Sequence, residues 1–256
     1  MGNNVLIVGP PKTGKLSIAQ LLSGDLDCST VSSKSHSGLV YQHTIETKYF
    51  KAMINLLIEE YPETRDVSPT EQNLAAFVDE IGKPEYQDLR DDLDGILFTI
   101  DLNTAADTQR LRLKQFERIR ALFGDQELFY AVVGNAQKLA AKTVERLEDE
   151  IMQSGFEFVD TNASGINEFR EKLGPDRLVE ILESHEWTDI DSGPAAASLL
   201  PEDVARMAES LLAEGQVSFD ELLVKIRAER ERVKNFDPEE KERAVRDIVE
   251  DLMEHM

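Results

Sequence analysis

The chain has 256 residues, 41% of them hydrophobic and 30% charged, with a formal net charge of −22. Such a charge repels phosphate backbones and anionic membranes, and no basic patch offsets it: Arg227, Arg230 and Arg232 are interleaved with Glu229 and Glu231. Nucleic-acid binding is therefore not expected, and neither is a membrane span, because no apolar run approaches the roughly 18 residues one needs.

The first element is an apolar strand, Asn4 to Val8, running into Gly9-Pro10-Pro11-Lys12-Thr13-Gly14-Lys15-Leu16. That octet meets all but the last position of G-x-x-x-x-G-K-[ST], the loop that cradles phosphates. Gly9 and Gly14 would let the backbone turn its N–H groups toward an anion, and Lys15 would reach the outer phosphates. The missing position is the hydroxyl that ligates Mg²⁺, replaced by Leu16. Ser17 follows one residue later, which on a helix rotates its side chain by about 100°. Helix Leu16 to Leu22 completes a strand–loop–helix unit.

Ser23 to Ser37 is rich in Ser and Thr and reads as a mobile loop. Within it lies Cys28, the lone cysteine, which excludes an intramolecular disulfide framework and favours a reducing, intracellular location. Leu39 to Ile45 and Ala52 to Ile58 alternate with period two around Glu46-Thr47-Lys48-Tyr49, the signature of a hairpin. A helix start follows at Ser68-Pro69-Thr70-Glu71. The acidic run Asp88 to Asp94 lacks the Gly and Glu spacing of a calcium loop and reads as a solvated helix end. Next come a buried strand over Ile96 to Ile100, a long helix from Ala105 to Phe123, a strand from Leu128 to Val133, and a helix from about Leu139 to Gln153. A short strand, Phe156 to Val159, and a helical region from Ile166 to Trp187, broken near Gly174-Pro175, finish the unit. Strands alternating with helices after one early hairpin give a Ras-like α/β fold, a mainly parallel sheet flanked by helices.

Residues 1–187 thus form a small-GTPase-like domain and 188–201 a linker of turn residues. Residues 202–256 form a small, charged, all-helical C-terminal domain. Its stripe Phe219, Leu222, Leu223, Ile226 needs a cover, and a unit of about 55 residues is at the lower end for independent folding, so self-association or a partner is open there.

The remaining nucleotide readers are degraded. The third strand ends in Glu59-Glu60-Tyr61-Pro62, without the Asp-x-x-Gly turn that holds Mg²⁺ and senses the γ-phosphate. Asn135-Ala136-Gln137-Lys138 stands where Asn-Lys-x-Asp would read guanine; Asn135 is kept, but Lys138 would repel the donors a carboxylate should bind. The four histidines show no metal-ligand spacing. No catalytic residue, metal or required cofactor is expected. The degenerate site reduces to Gly9, Gly14, Lys15, Ser17 and Asn135, with weak GTP, GDP or phosphate binding left open.

Thr44-Ile45-Glu46-Thr47-Lys48-Tyr49-Phe50, followed by Ile54-Asn55-Leu56, resembles a segment of the alpha- and gamma-adaptin-binding protein family, which includes the fungal increased recombination centres proteins. Gly155-Phe156-Glu157-Phe158-Val159, the stretch ending at Trp187 and the charged helices around Lys225 to Arg246 extend the resemblance over most of the chain. It implies a GTPase-like domain without GTPase activity and a cytosolic accessory factor. Such factors bind adaptin subunits of clathrin adaptor complexes and assist their assembly in vesicle-mediated transport. Rab-type GTPases and self-association occur in the family as well. Lys48, Tyr49 and Phe50 become candidates for partner binding. A divergent, active GTP-binding protein is the alternative.

Overall fold

A computed structural model describes residues 3–24, 35–62, 70–167, 169–188 and 190–192. Two compact units divide the chain: Met1–Ile45 with Ala52–Ile190, and Glu46–Lys51 with Asp191–Met256. The proposed mobile loop over Ser23 to Ser37 is described only at its two ends. The expected helices over 202–256 lie outside the described residues, and so does most of the expected linker.

In chain order the elements run β1 (Asn3–Gly9), α1 (Lys15–Ser23), β2 (Leu39–Glu46), β3 (Phe50–Glu60), α2 (Glu71–Ile81), α3 (Gln87–Asp91), β4 (Leu93–Ile100), α4 (Ala106–Ala121), β5 (Phe129–Gly134), α5 (Ala141–Gln153), β6 (Glu157–Asp160) and α6 (Pro175–Ser184). A short strand, β7 (Ile190–Ser192), follows. The path through the sheet is β2-β3-β1-β4-β5-β6. β1 pairs in parallel with β3 and β4, β4 with β5, and β5 with β6. The hairpin β2–β3 supplies the edge, so the sheet is mainly parallel and carries helices, as the alternation of elements predicts.

Central strands of a parallel sheet are covered on both faces and read as continuous apolar runs. Val5, Leu6, Ile7 and Val8 in β1 and Ile96, Leu97 and Phe98 in β4 are all buried. Leu6, Val8, Ile96 and Phe98 share one core cluster with residues of α2, α4 and α5. Its centre is aromatic: Phe98 and Phe116 stack at 4.1 Å, and Phe156 meets Phe98 edge-on at 5.8 Å. α2 starts where Thr70 closes a capping box with Asn73.

Two local expectations are corrected. The described residues from 166 to 173 are not helical: Ile166 and Lys172 form an antiparallel bridge, and Arg170 has φ 65. Asn167 Oδ1 accepts from the amides of Phe169 and Glu171, offering the backbone a turn in place of a helix. α6 therefore begins only at Pro175, a first-turn proline, and ends at Ser184. Trp187 lies beyond it, buried, with its indole N–H on the Leu182 carbonyl at 2.8 Å. The acidic run also splits. Asp88, Asp91 and Asp92 are exposed at and just beyond a short helix, whereas Asp94 sits in β4 and accepts from the Asn4 amide at 2.8 Å.

Candidate functional site

Parallel strands deliver their C-terminal ends to one edge of the sheet, the usual place for a ligand in an open α/β fold. Here that edge carries Gly9 from β1, Glu60 from β3, Thr99 near the end of β4, Gly134 from β5 and Asp160 from β6.

Gly14 precedes α1 with φ 92, a left-handed conformation that glycine adopts without strain. Gly9 has a different reason. A Cβ there would lie 2.1 Å from Thr99 Oγ1 and 2.3 Å from the Thr99 carbonyl oxygen, so β4 needs the bare backbone. Thr13 Oγ1 donates to the Pro10 carbonyl at 2.8 Å and lies 2.6 Å from Thr99 Oγ1, tying the loop to β4 a second time. Both glycines are thus accounted for by the fold.

Lys15 is 2% exposed, and its ammonium points into the protein's own polar groups. Nζ donates to the carbonyls of Gly9 at 2.8 Å and Pro10 at 2.7 Å, and lies 3.1 Å from Glu60 Oε1. Leu16 is half-buried in the first turn of α1, and Ser17 is exposed.

Glu60 is the residue sequence reasoning missed. Its side chain is 0% exposed, and the β1–β3 register sets it opposite Gly9. The backbone amide of His36 donates to Oε2 at 3.0 Å, and the imidazole Nδ1 stands 3.4 Å from Oε1. Ser37 Oγ accepts from the Glu60 amide at 3.0 Å. A carboxylate taken this far from water needs a cation and hydrogen bonds, and it has both. A signal was present: Glu60 is in phase with Ala52, Ile54, Leu56 and Ile58, the inward set of β3, so a charge at that register demanded a buried partner.

On the other side of β4, Asn135 is exposed and its Oδ1 accepts from the Gln137 amide at 3.0 Å, a local turn. Lys138 is exposed as well. Asp160 Oδ1 accepts from the amides of Ala136 at 2.9 Å and Asn162 at 3.0 Å. Thr161 adds its amide and hydroxyl to the Gly134 carbonyl at 2.8 and 3.1 Å. The loops after β5 and β6 are thereby fastened to each other. Among the described residues no group of His, Cys, Asp and Glu could hold a metal ion.

The hairpin tip belongs to the other unit. Thr47 Oγ1 accepts from the amides of Tyr49 and Phe50 at 3.1 and 3.0 Å, which sets the turn. Lys48 is exposed, with its ammonium 4.5 Å from the centre of the half-buried Tyr49 ring. Phe50 is only 5% exposed, so the accessible part of this trio is Lys48 and Tyr49.

No protein-family model matches the sequence. The chain is 37% identical to increased recombination centers protein 6 of Clavispora lusitaniae, over 99% of its own length and 98% of that protein's. To the protein of the same name from Candida tropicalis it is 34% identical, over 98% of each. Yeast Irc6p, described with its crystal structure as a novel type of conserved clathrin accessory protein, superimposes with a TM-score of 0.56 at 23% identity, over 75% of this chain and 97% of that one.

Proposed function

The chain belongs to the increased recombination centers protein 6 family, and from that membership we propose that it is a non-catalytic accessory factor of the clathrin pathway. It works in the cytoplasm, binds adaptin subunits of clathrin adaptor complexes, and assists their assembly in vesicle-mediated protein transport. The likeness to yeast Irc6p supports the pathway. The resemblance of the hairpin segment to adaptin-binding proteins supports the partner. In keeping with a soluble factor, no helix among the described residues is long and apolar enough to cross a membrane.

One observation carries the non-catalytic part: the Lys15 ammonium is already engaged by two loop carbonyls and paired with the Glu60 carboxylate. Phosphoryl transfer depends on a lysine and a metal positioned on the phosphates. In this loop the lysine faces inward and Leu16 replaces the hydroxyl that would hold the metal. The family's further associations, with a Rab-type GTPase or with a second copy through residues 202–256, extend the same proposal.

Affinity purification from the native cells with mass spectrometry tests it. Adaptin subunits should enrich, and Lys48→Glu with Tyr49→Ala should reduce their recovery. Failure of adaptins to enrich from the wild-type chain overturns the partner. The second reading, a divergent GTP-binding protein with residual hydrolysis, is favoured by Gly9, Gly14 and Lys15. It predicts Mg²⁺-stimulated GTP turnover that Lys15→Met abolishes.

A further inference from the structure

The phosphate loop is not merely short of a metal ligand. We propose that Glu60 is its built-in occupant: the carboxylate holds the place on the Lys15 ammonium that a diphosphate would take, and so excludes polyphosphate anions from the loop. This deepens the non-catalytic reading above and rests on it.

Three observations support the assignment. The Lys15–Glu60 pair is buried on both sides, 2% and 0% exposed, at an Nζ to Oε1 distance of 3.1 Å. Second, Glu60 is held there by other groups: the His36 amide donates to Oε2, the His36 imidazole flanks Oε1, and Ser37 Oγ accepts from the Glu60 amide. His36 thus fastens the carboxylate, and Ser37 fastens the backbone that carries it. Third, the β1–β3 register fixes the Glu60 backbone opposite Gly9, the first residue of the loop, which keeps the carboxylate within reach of the Lys15 ammonium. An incoming diphosphate would have to detach Lys15 from Glu60. That would leave a carboxylate of like charge buried beside it, which is unfavourable at low dielectric. Exclusion follows from charge and register together.

The test is calorimetric titration of inorganic pyrophosphate into the full-length chain at low ionic strength. Wild type, Glu60→Gln and Glu60→Gln/Lys15→Met are compared. The glutamine keeps the shape and removes the charge, so Lys15 becomes available. Wild type should show no saturable binding in the millimolar range, and Glu60→Gln should bind at least about tenfold more tightly, the factor that 1.4 kcal/mol carries. The added Lys15→Met should remove that gain.

The inference is overturned if folded Glu60→Gln binds no better than wild type, or if the gain survives Lys15→Met. Should Glu60→Gln not fold alone, refolding in pyrophosphate against sodium chloride at equal ionic strength decides the point. Selective recovery in pyrophosphate supports the inference, and equal yields overturn it. Lys15-dependent GTP turnover by the wild-type chain would instead remove the non-catalytic reading, so the two failures are distinguishable.

Discussion

At the ends of β1 and β3 the loop is closed by Glu60, a carboxylate with a cation for a partner; at the ends of β5 and β6 it is closed by Asp160, which accepts from two backbone amides. Both stand at the last residue of a parallel strand, on the edge where a nucleotide would be met. Glu60 is fully buried, while Asp160 is half-exposed. One functional group therefore fastens both halves of this edge by different physics. The phosphate side uses charge in a dry pocket, and the base side uses hydrogen bonds that water can partly replace.

The difference sets the size of each expected effect. Glu60→Ala leaves the Lys15 ammonium buried without its counter-charge and should cost about 3–5 kcal/mol of stability in urea denaturation. The paired replacement Lys15→Met/Glu60→Leu removes both charges and should return to within about 1 kcal/mol of wild type or exceed it. If the double variant is as unstable as Glu60→Ala, the pair is not what governs that end of the sheet.

Gly9→Ala comes next. Its Cβ would meet both the hydroxyl and the carbonyl oxygen of Thr99, at 2.1 and 2.3 Å. Overpacking of this kind costs about 1–3 kcal/mol. Adding Thr99→Ala removes the hydroxyl, with the γ-methyl, but leaves the carbonyl oxygen in place, so thermal melts should show incomplete recovery. Full recovery would mean that the side chain alone, and not the approach of β4, requires the glycine.

Much of this architecture was legible in the sequence because its signals are local and periodic. The apolar runs of β1 and β4, the alternation of β2 and β3, and the cap before α2 each follow from spacing within one element. The site was legible only as a set of departures: Leu16, the missing glycine after β3, and Lys138. What fills those gaps is not local. Glu60 meets Lys15 across 45 positions of sequence and only through the β1–β3 register, and Asp160 reaches Ala136 only because β6 lies beside β5. Residues 166–173 misled for a different reason. Their composition suits a helix, and the side chain of Asn167 diverts the backbone into a turn.

Asp160→Ala measures the second half of the comparison. It removes an acceptor from two backbone amides at a half-exposed position, where water substitutes in part, so a loss of about 1–2 kcal/mol is expected. Amide hydrogen exchange should rise at Ala136 and Asn162 while the Lys15 region stays protected. A loss as large as that of Glu60→Ala would erase the distinction between the charged and the hydrogen-bonded closure.

The smallest effect is expected at Asn135, the residue that the sequence pattern sets at a guanine-reader position. Its side chain is exposed and makes a single local bond to the Gln137 amide. The loop it belongs to is anchored separately, by Asp160 on the Ala136 amide and by Thr161 on the Gly134 carbonyl. Removing Asn135 Oδ1 therefore frees one amide that water can reach, and the loop keeps its position. Asn135→Ala should change stability by less than about 0.5 kcal/mol, the range of an ordinary surface substitution. Exchange at Gln137 should quicken while Ala136 and Asn162 do not change. A cost above about 1 kcal/mol, or faster exchange at Ala136, would show that Asn135 helps hold the base-side loop, and Asp160 would lose its place as the residue that closes that half of the site.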